Sequence, residues 1–425
     1  MQTPHGRRRR GGIAVLAVVV AALIAPAGAA HADAVADGNW WYSAFGADEV
    51  HGEGWTGEGI KVAVVDQQIN DTLPVFEGTN LTVSPRPLCG DDTDDVVTTD
   101  LTEGSLHGSG MTALLIGNGE GNGAVRGIAP GADVTFYGYG SELCVISADG
   151  NGNLTGGYSE AIRTAVADGN KIITTSVAFD EARPDEVSAV AEALAQGVII
   201  VAATPNSTTD TSSYPSQLNG VVSVNAFDAN GMLNADEVTG APNIWPEVTV
   251  IAPGVDVASV NWDAEKLESG SSNAAPLVAG ILAAAWQKYP DATSNQLIQS
   301  LIHNTTPDDH PLSRNMENGA GYGPVSLRHM LAVDPAQYPD ENPLMDKASG
   351  QPTAAQVADA GAQDGATPAP AASDAPATAE SAESAPDAMP LVVGGIGVLV
   401  LVTALVFTIV RVRRGRNGPT QGENR

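Results

Sequence analysis

Short apolar runs alternate with longer amphipathic stretches through the middle of the chain. The apolar runs are rich in β-branched residues and read as buried strands: Ile60 to Val65, Asp133 to Tyr137, Lys171 to Val177, Val198 to Ala203, Val221 to Val224 and Val248 to Ile251. Helical periodicity lies between them, as in Tyr158 to Ala167 and Glu186 to Ala195. Strands that alternate with helices predict an α/β fold, with a mostly parallel sheet between helices. In such sheets, functional side chains gather at the carboxyl ends of the strands.

The N-terminus has the pattern of a secretory signal peptide. Arg7 to Arg10 are followed by an apolar run from Ile13 to Ala25 and by the small-x-small sequence Ala30-His31-Ala32. A positive region, a short apolar region and a small-residue cleavage site together predict a signal peptide over residues 1–32. An uncleaved N-terminal anchor is the alternative.

A second apolar segment lies near the C-terminus. The run from Leu391 to Val410 carries no charge and is followed at once by Arg411, Arg413, Arg414 and Arg416. Such a run is long enough for a hydrocarbon core of about 30 Å, which predicts one transmembrane helix over residues 390–410. The arginines place the tail, residues 411–425, in the cytoplasm, so the rest of the chain should face outward from the plasma membrane. A buried core helix is the alternative.

The chain before this segment changes composition. Between Ala348 and Ala388 it is rich in Ala, Pro, Ser and acidic residues and contains no aromatic residue. Such a segment buries too little apolar area to offset its ordering entropy, which predicts a disordered stalk within a linker over residues 336–389. The globular domain is then expected over residues 59–335, preceded by a short extension over residues 33–58.

The charge excludes one class of partner. The net charge is -30, and the basic residues concentrate at the two ends, so the middle of the chain is strongly acidic. A surface of this kind repels phosphate backbones, and nucleic-acid binding is not expected. The acidity is typical of a strongly solvated surface, or it attracts a basic partner or substrate.

Two cysteines occur, Cys89 and Cys144. Both lie in the part expected outside the cell, where an even count predicts one disulfide; two separate buried thiols are the alternative. No paired CxxC or His-rich spacing is present, so no metal and no cofactor are expected. The acid-rich segment from Gly90 to Asp95 lacks a defined ligand loop and is typical of a solvated turn, while calcium binding there stays open.

Three polar residues lie at the ends of predicted strands and helices, and their order along the chain is informative. Asp66 closes the first strand, His107 precedes an apolar helical pattern from Met111 to Ile116, and Ser272 begins one that continues to about Tyr289. If each residue is considered alone, Asp66 is typical of a turn former, His107 of a structural histidine and Ser272 of a helix N-cap. The order Asp, His, Ser along the chain is that of the subtilisin-type catalytic triad.

The segments around these residues resemble the three active-site blocks of the subtilase family. Four further stretches are similar to that family in order: Gly127 to Asp133, Tyr214-Pro215 together with Val221 to Asn225, Ala252 to Gly254, and Gly321 to Gly323. The resemblance covers roughly residues 40 to 335. It implies a subtilisin-like three-layer fold, serine endopeptidase activity on protein or peptide substrates, and Asn206 as the side-chain donor of the oxyanion hole.

The sequence departs from the family's pattern close to the expected site. Gln67 and Gln68 follow Asp66 where Thr or Ser and then Gly are usual, and Pro205 precedes Asn206 where Gly is usual. Ala178 replaces a Gly, and Ser271 replaces a Thr before Ser272. Two hypotheses follow: an active endopeptidase, or a catalytically weak or inactive scaffold that stabilises a membrane complex. A surface adhesin explains the anchor but not the family blocks.

The order of segments suggests a branch of the family. The short extension leaves no room for a large folding propeptide. Signal peptide, subtilase domain, stalk, one span and a basic tail form an architecture similar to that of the mycosins, the type VII secretion-associated proteases of actinobacteria. The resemblance implies membrane components of a type VII secretion system as partners.

Overall fold

A parallel sheet forms the centre of the molecule. The computed structural model describes residues 38–86, 88, 96–140, 145–148, 154–209, 213–306 and 312–364. Its strands are β1 (Lys61–Asp66), β2 (Leu81–Val83), β3 (Asp133–Gly138), β4 (Val145–Ala148), β5 (Leu154–Gly156), β6 (Ile172–Thr175), β7 (Ile199–Ala203), β8 (Val222–Phe227), β9 (Val250–Pro253), β10 (Val257–Ser259) and β11 (Lys266–Glu268). Seven of them pair in the order β2-β3-β1-β6-β7-β8-β9, with every neighbouring pair parallel. All six strands expected from the apolar runs are therefore confirmed.

Helices cover the sheet and connect its strands. They are α1 (Trp40–Phe45), α2 (Ala47–Gly52), α3 (Glu103–Ile116), α4 (Gly157–Ala167), α5 (Pro184–Ala195), α6 (Ser271–Lys288), α7 (Ser294–His303), α8 (Leu327–Ala332) and α9 (Ala354–Asp364). Short 3-10 helices span Pro74–Phe76 and Pro335–Gln337.

Successive side chains of a strand point into two different apolar cores, one on each face of the sheet. In β1, Val62 and Val64 face the core that contains α3 and α6, whereas Ala63 and Val65 face the core that contains α4 and α5. A strand buried on both faces reads as a continuous apolar run, which is why these segments lack a polar alternation. The predicted three-layer α/β architecture is confirmed.

Helix α6 lies in the larger core, and its small residues let it approach its neighbours closely. The run from Ala274 to Ala285 is almost fully buried. A Cβ atom on Gly280 would lie 2.2 Å from Ile128 Cγ2, so only glycine fits there without a shift of the packing. The helix that carries Ser272 is thus packed closely against the sheet.

The N-terminal extension belongs to the domain. Trp40, Trp41 and Phe45 of α1 are buried in the larger core, and Trp40 Nε1 donates to Val255 O at 3.2 Å. The short extension predicted over residues 33–58 therefore packs against the domain from Trp40 onward, because its aromatic side chains supply part of the core.

The predicted linker is also ordered over its first part. Lys347 is only 3% exposed, and its Nζ donates to Ser216 O at 2.7 Å, Val221 O at 2.6 Å and Ser223 Oγ at 2.6 Å. Burial lowers the pKa of this ammonium well below its ordinary value. Part of the segment predicted as a linker is thus anchored to the domain, mainly through main-chain carbonyls that accept from Lys347.

Helix α9 extends the ordered region to Asp364 by packing against α5, where a Cβ on Gly361 would meet Ala195 Cβ at 3.5 Å. The stalk predicted from Ala348 is therefore helical over the residues of α9. Its remainder lies outside the described residues.

Other expectations from the sequence fall outside the described residues as well. These are the signal peptide, the span over residues 390–410, the cytoplasmic tail and the cysteines Cys89 and Cys144. Within the described ranges, no helix combines the length and the apolar character needed to cross a membrane.

Candidate active site

Asp66 and His107 meet at the carboxyl edge of the sheet. Asp66 is the last residue of β1 and is 1% exposed, and His107 lies in the second turn of α3. The imidazole Nδ1 is 2.8 Å from Asp66 Oδ2 and 3.0 Å from Oδ1. The Gln67 N–H also donates to Asp66 Oδ1, at 2.7 Å, which fixes the carboxylate. The carboxylate therefore holds the imidazole with Nδ1 protonated and Nε2 available as a base.

The start of α3 is tied to the end of β1. Thr102 caps the helix in a reciprocal capping box with Ser105, which favours a helix start at Glu103. Gln68 Oε1 accepts a hydrogen bond from Thr102 Oγ1 at 2.8 Å. Gly108 lets the helix approach closely, since a Cβ there would lie 2.2 Å from Gln68 O. Gln68, a departure from the family pattern, thus helps to position the helix that carries His107.

The electrostatic surroundings favour a charged imidazole. Burial opposes the charge on His107, but the charge and hydrogen bond of Asp66, together with the charges of Glu268 and Glu103, outweigh it. The pKa of His107 is therefore raised above its ordinary value. A base with a raised pKa accepts a proton more readily and stabilises the imidazolium that proton transfer creates.

Ser272 is the second residue of α6, where backbone N–H groups have no partner within the helix. Pro276, inside the same helix, lacks the N–H that would bond to Ser272 O. Ser176 Oγ, just beyond β6, donates to that carbonyl at 2.9 Å instead. The first turn of α6 is thereby anchored to the end of a central strand.

In the part of the chain that the structure describes, no hydrogen bond joins Ser272 to His107. In free enzymes such contacts are often long and tighten only when substrate binds.

Asn206 lies beside the start of α6. Its Oδ1 accepts from Ser271 N at 3.0 Å and lies 3.1 Å from Ser271 Oγ, whose hydrogen is donated to Thr204 O. Its Nδ2 makes no hydrogen bond within the described part of the chain, and a Cβ on Gly270 would lie 3.0 Å from it. The amide oxygen is thus engaged, while the amide N–H group is left as a donor next to Ser272.

The loop that carries Asn206 is held by hydrogen bonds from residues more than 30 positions further along the chain. Pro205 O accepts from Asn243 Nδ2 at 2.6 Å and from Trp245 Nε1 at 3.1 Å. Asn206 O accepts from Glu237 N at 3.2 Å. The sequence contains no local signal for these partners, because they are brought to Asn206 by the strand connections. The carbonyl of Pro205, where the family has Gly, thus accepts two hydrogen bonds that hold the loop.

A cavity of about 460 Å³ adjoins the site, and His107 forms part of its wall. It lies between α3, the hairpin of β10 and β11, and the loop that contains Glu237. No group of three or more His, Cys, Asp or Glu side chains is arranged to hold a metal ion in the ranges that the structure describes.

An Asp–His pair at the carboxyl edge of a parallel sheet, with a serine at a helix start, is an arrangement found in serine hydrolases of the subtilisin type. Residues 57–323 match the Subtilase family (Peptidase S8), and the chain belongs to this family of serine endopeptidases. The resemblance of the sequence to subtilases is thus confirmed.

Among similar proteins is the thermostable alkaline protease of Halalkalibacterium halodurans. It is 29% identical over 270 residues, which cover 63% of this chain and 68% of that protein. Subtilisin DY of Bacillus licheniformis is 29% identical over 271 residues, covering 61% of this chain and 88% of the subtilisin. The crystal structure of fervidolysin from Fervidobacterium pennivorans matches with a TM-score of 0.54 and 25% identity, covering 69% of this chain and 45% of that one.

Proposed function

We propose that this subtilase is a membrane-anchored, extracytoplasmic endopeptidase that uses Asp66, His107 and Ser272 as its catalytic triad. The observation that carries the assignment is the hydrogen-bonded Asp66–His107 pair at the carboxyl edge of the sheet. Ser272, at the start of α6, lies close to the same edge, because its carbonyl accepts a hydrogen bond from Ser176 Oγ just beyond β6.

The proposed reaction proceeds through an acyl-enzyme. His107 Nε2 takes the Ser272 hydroxyl proton as the oxygen attacks the substrate carbonyl, and then gives that proton to the leaving amine. The Asp66 carboxylate holds the tautomer and stabilises the imidazolium between these steps. Water then repeats the sequence on the ester and releases the second product.

The developing oxyanion requires donors in fixed positions. The Ser272 backbone N–H, at the positive end of α6, supplies one donor, and Asn206 Nδ2 supplies the other. Because the Ser271 backbone N–H donates to the Asn206 oxygen, the amide is oriented before substrate arrives.

A fluorophosphonate probe tests this function most directly, since it reacts only with an activated serine. The full-length protein in native membranes is expected to become labelled at Ser272. A protein that stays unlabelled while still associating with membrane partners would instead support the alternative, an inactive scaffold. Gln67, Gln68 and Pro205 motivate that alternative.

Replacing Asn206 by alanine is expected to lower kcat by about 100-fold or more with little change in KM, because the lost donor acts mainly in the transition state. The measurements are kcat, KM and the melting temperature. Asn230, an exposed turn residue, gives the matched control Asn230→Ala, which should behave as wild type. A well-folded Asn206→Ala enzyme with near-normal kcat would remove Asn206 from the mechanism.

The proposed location rests on the two ends of the chain. An uncharged run followed by arginines favours one span with the catalytic domain outside. The same architecture supports association with a type VII secretion system, through substrate processing, stabilisation of the complex, or both.

External protease added to intact cells is expected to release the catalytic domain by cutting after residue 364, in the remainder of the predicted linker. The released fragment is measured by immunoblot against the domain, with a cytoplasmic protein as the control for lysis. Release only from lysed cells would show that the proposed orientation is wrong.

A further inference from the structure

We propose that the cavity beside His107 selects substrates with a lysine or arginine close to the scissile bond, on the leaving-group side. The inference rests on the proposed protease function and adds a substrate class to it.

The cavity carries excess negative charge. Glu103, Glu237 and Glu268 line it, together with Lys266 as a cation. Lys266 Nζ pairs with Glu268 Oε1 at 2.7 Å. Glu103 and Glu237 take part in no ion pair within the described ranges, so two carboxylates remain uncompensated at the wall. A cationic side chain would neutralise charge that the protein itself leaves unbalanced.

The apolar part of the cavity wall also suits the aliphatic part of a lysine or arginine side chain. Leu106 and Leu267 line the same cavity. Lysine and arginine bury an aliphatic stem along apolar surface while the charged head reaches polar groups. Leucines beside two free carboxylates fit this combination better than they fit an acidic or a small side chain.

The position of His107 defines the side of the scissile bond. In the proposed mechanism this imidazole gives its proton to the leaving amine, so it must lie next to the leaving segment of the substrate. Since His107 is part of the cavity wall, the cavity adjoins the first residues after the cleaved bond.

The backbone of Glu237 is held in place by the surrounding loop. Its own N–H donates to Asn206 O at 3.2 Å. The preceding Asp236 accepts from Val238 N at 3.0 Å and Thr239 N at 2.7 Å, and from Thr208 Oγ1 at 2.7 Å. A loop fixed in this way keeps its main chain beside the cavity, so that only the Glu237 side chain has to be ordered on binding.

The experiment compares cleavage of quenched fluorescent peptides that differ only at the first and second residues after the cleaved bond, with Arg or Gln at each. The full-length wild type is compared with Glu103→Gln, Glu237→Gln and the double variant. Glu265→Gln is the matched control, because Glu265 lies on the same hairpin but outside this cavity. Fluorophosphonate labelling of each protein reports the reactive serine independently of the leaving group.

Wild type is expected to prefer Arg by about tenfold in kcat/KM, since two exposed carboxylates contribute about threefold each and act together with the apolar contacts. Each single variant should lose about threefold of the preference and the double variant most of it. Glu265→Gln should retain it. The wild-type preference should also shrink as salt screens the charges.

Equal rates for Arg and Gln peptides in a normally labelled wild type, or an unchanged preference in the double variant, would overturn this inference alone. A wild type that is not labelled would overturn the proposed function and this inference with it.

Discussion

Replacing Ser272 by alanine is expected to lower kcat by about 10⁶-fold, because a triad without its nucleophile loses nearly all of its rate enhancement. The fold should be unaffected. The Ser176 contact is made to the backbone carbonyl of residue 272, which alanine retains. Peptide hydrolysis, fluorophosphonate labelling and the melting temperature together measure the outcome.

Ser188→Ala is the control, since Ser188 lies exposed on α5, away from the site. It should keep full activity and labelling. Labelling that persists in Ser272→Ala would transfer the nucleophile to another serine. Ser271, the neighbour in sequence, is poorly suited to that role because its hydroxyl already donates to Thr204 O.

Changing Asp66 to asparagine is expected to lower kcat by about 10⁴-fold while the protein stays folded. The carboxylate accepts a hydrogen bond from His107 Nδ1. An amide can donate to Nδ1 instead, which favours the tautomer protonated at Nε2. That nitrogen can then no longer take the proton of Ser272. Steady-state kinetics and the rate of fluorophosphonate labelling should fall together.

The same substitution has a second signature in the pH dependence. The Asp66 carboxylate raises the pKa of His107. Activity needs the neutral imidazole, so the residual activity of Asp66→Asn should persist to lower pH than that of wild type. Asp133→Asn is the control because Asp133 is exposed at the opposite end of the neighbouring strand β3. A near-normal kcat in Asp66→Asn, or an unshifted acid limb, would contradict the assigned role.

The strands and the triad candidates were predictable because their signals are local. A β-branched run such as Ile199 to Ala203 is apolar throughout, since parallel strands covered on both faces bury every side chain. Asp66, His107 and Ser272 each stand within a few residues of an element boundary, where composition changes sharply. Parallel strands then bring their carboxyl ends to one edge whatever the loops contain.

The ends of the domain were not predictable in the same way. Low apolar content from residue 336 onward predicted a linker, yet Lys347 is buried against three oxygen acceptors. Composition measures the apolar area that a segment can bury, but it does not count carbonyls that a distant loop leaves available. The aromatic residues of α1 belong to the core for a related reason, since their partners lie far along the chain.

By itself, the sequence determined the class of fold, the candidate triad and the family, because these depend on periodicity and on short motifs. Only the tertiary structure decided which contacts are made by the residues that depart from the family pattern. Gln68 bonds to Thr102, 34 residues away, and Pro205 is held by Asn243, 38 residues away. Strand register and loop geometry, rather than local pattern, create such contacts. They also place Glu237 and Glu103 in the wall of one cavity.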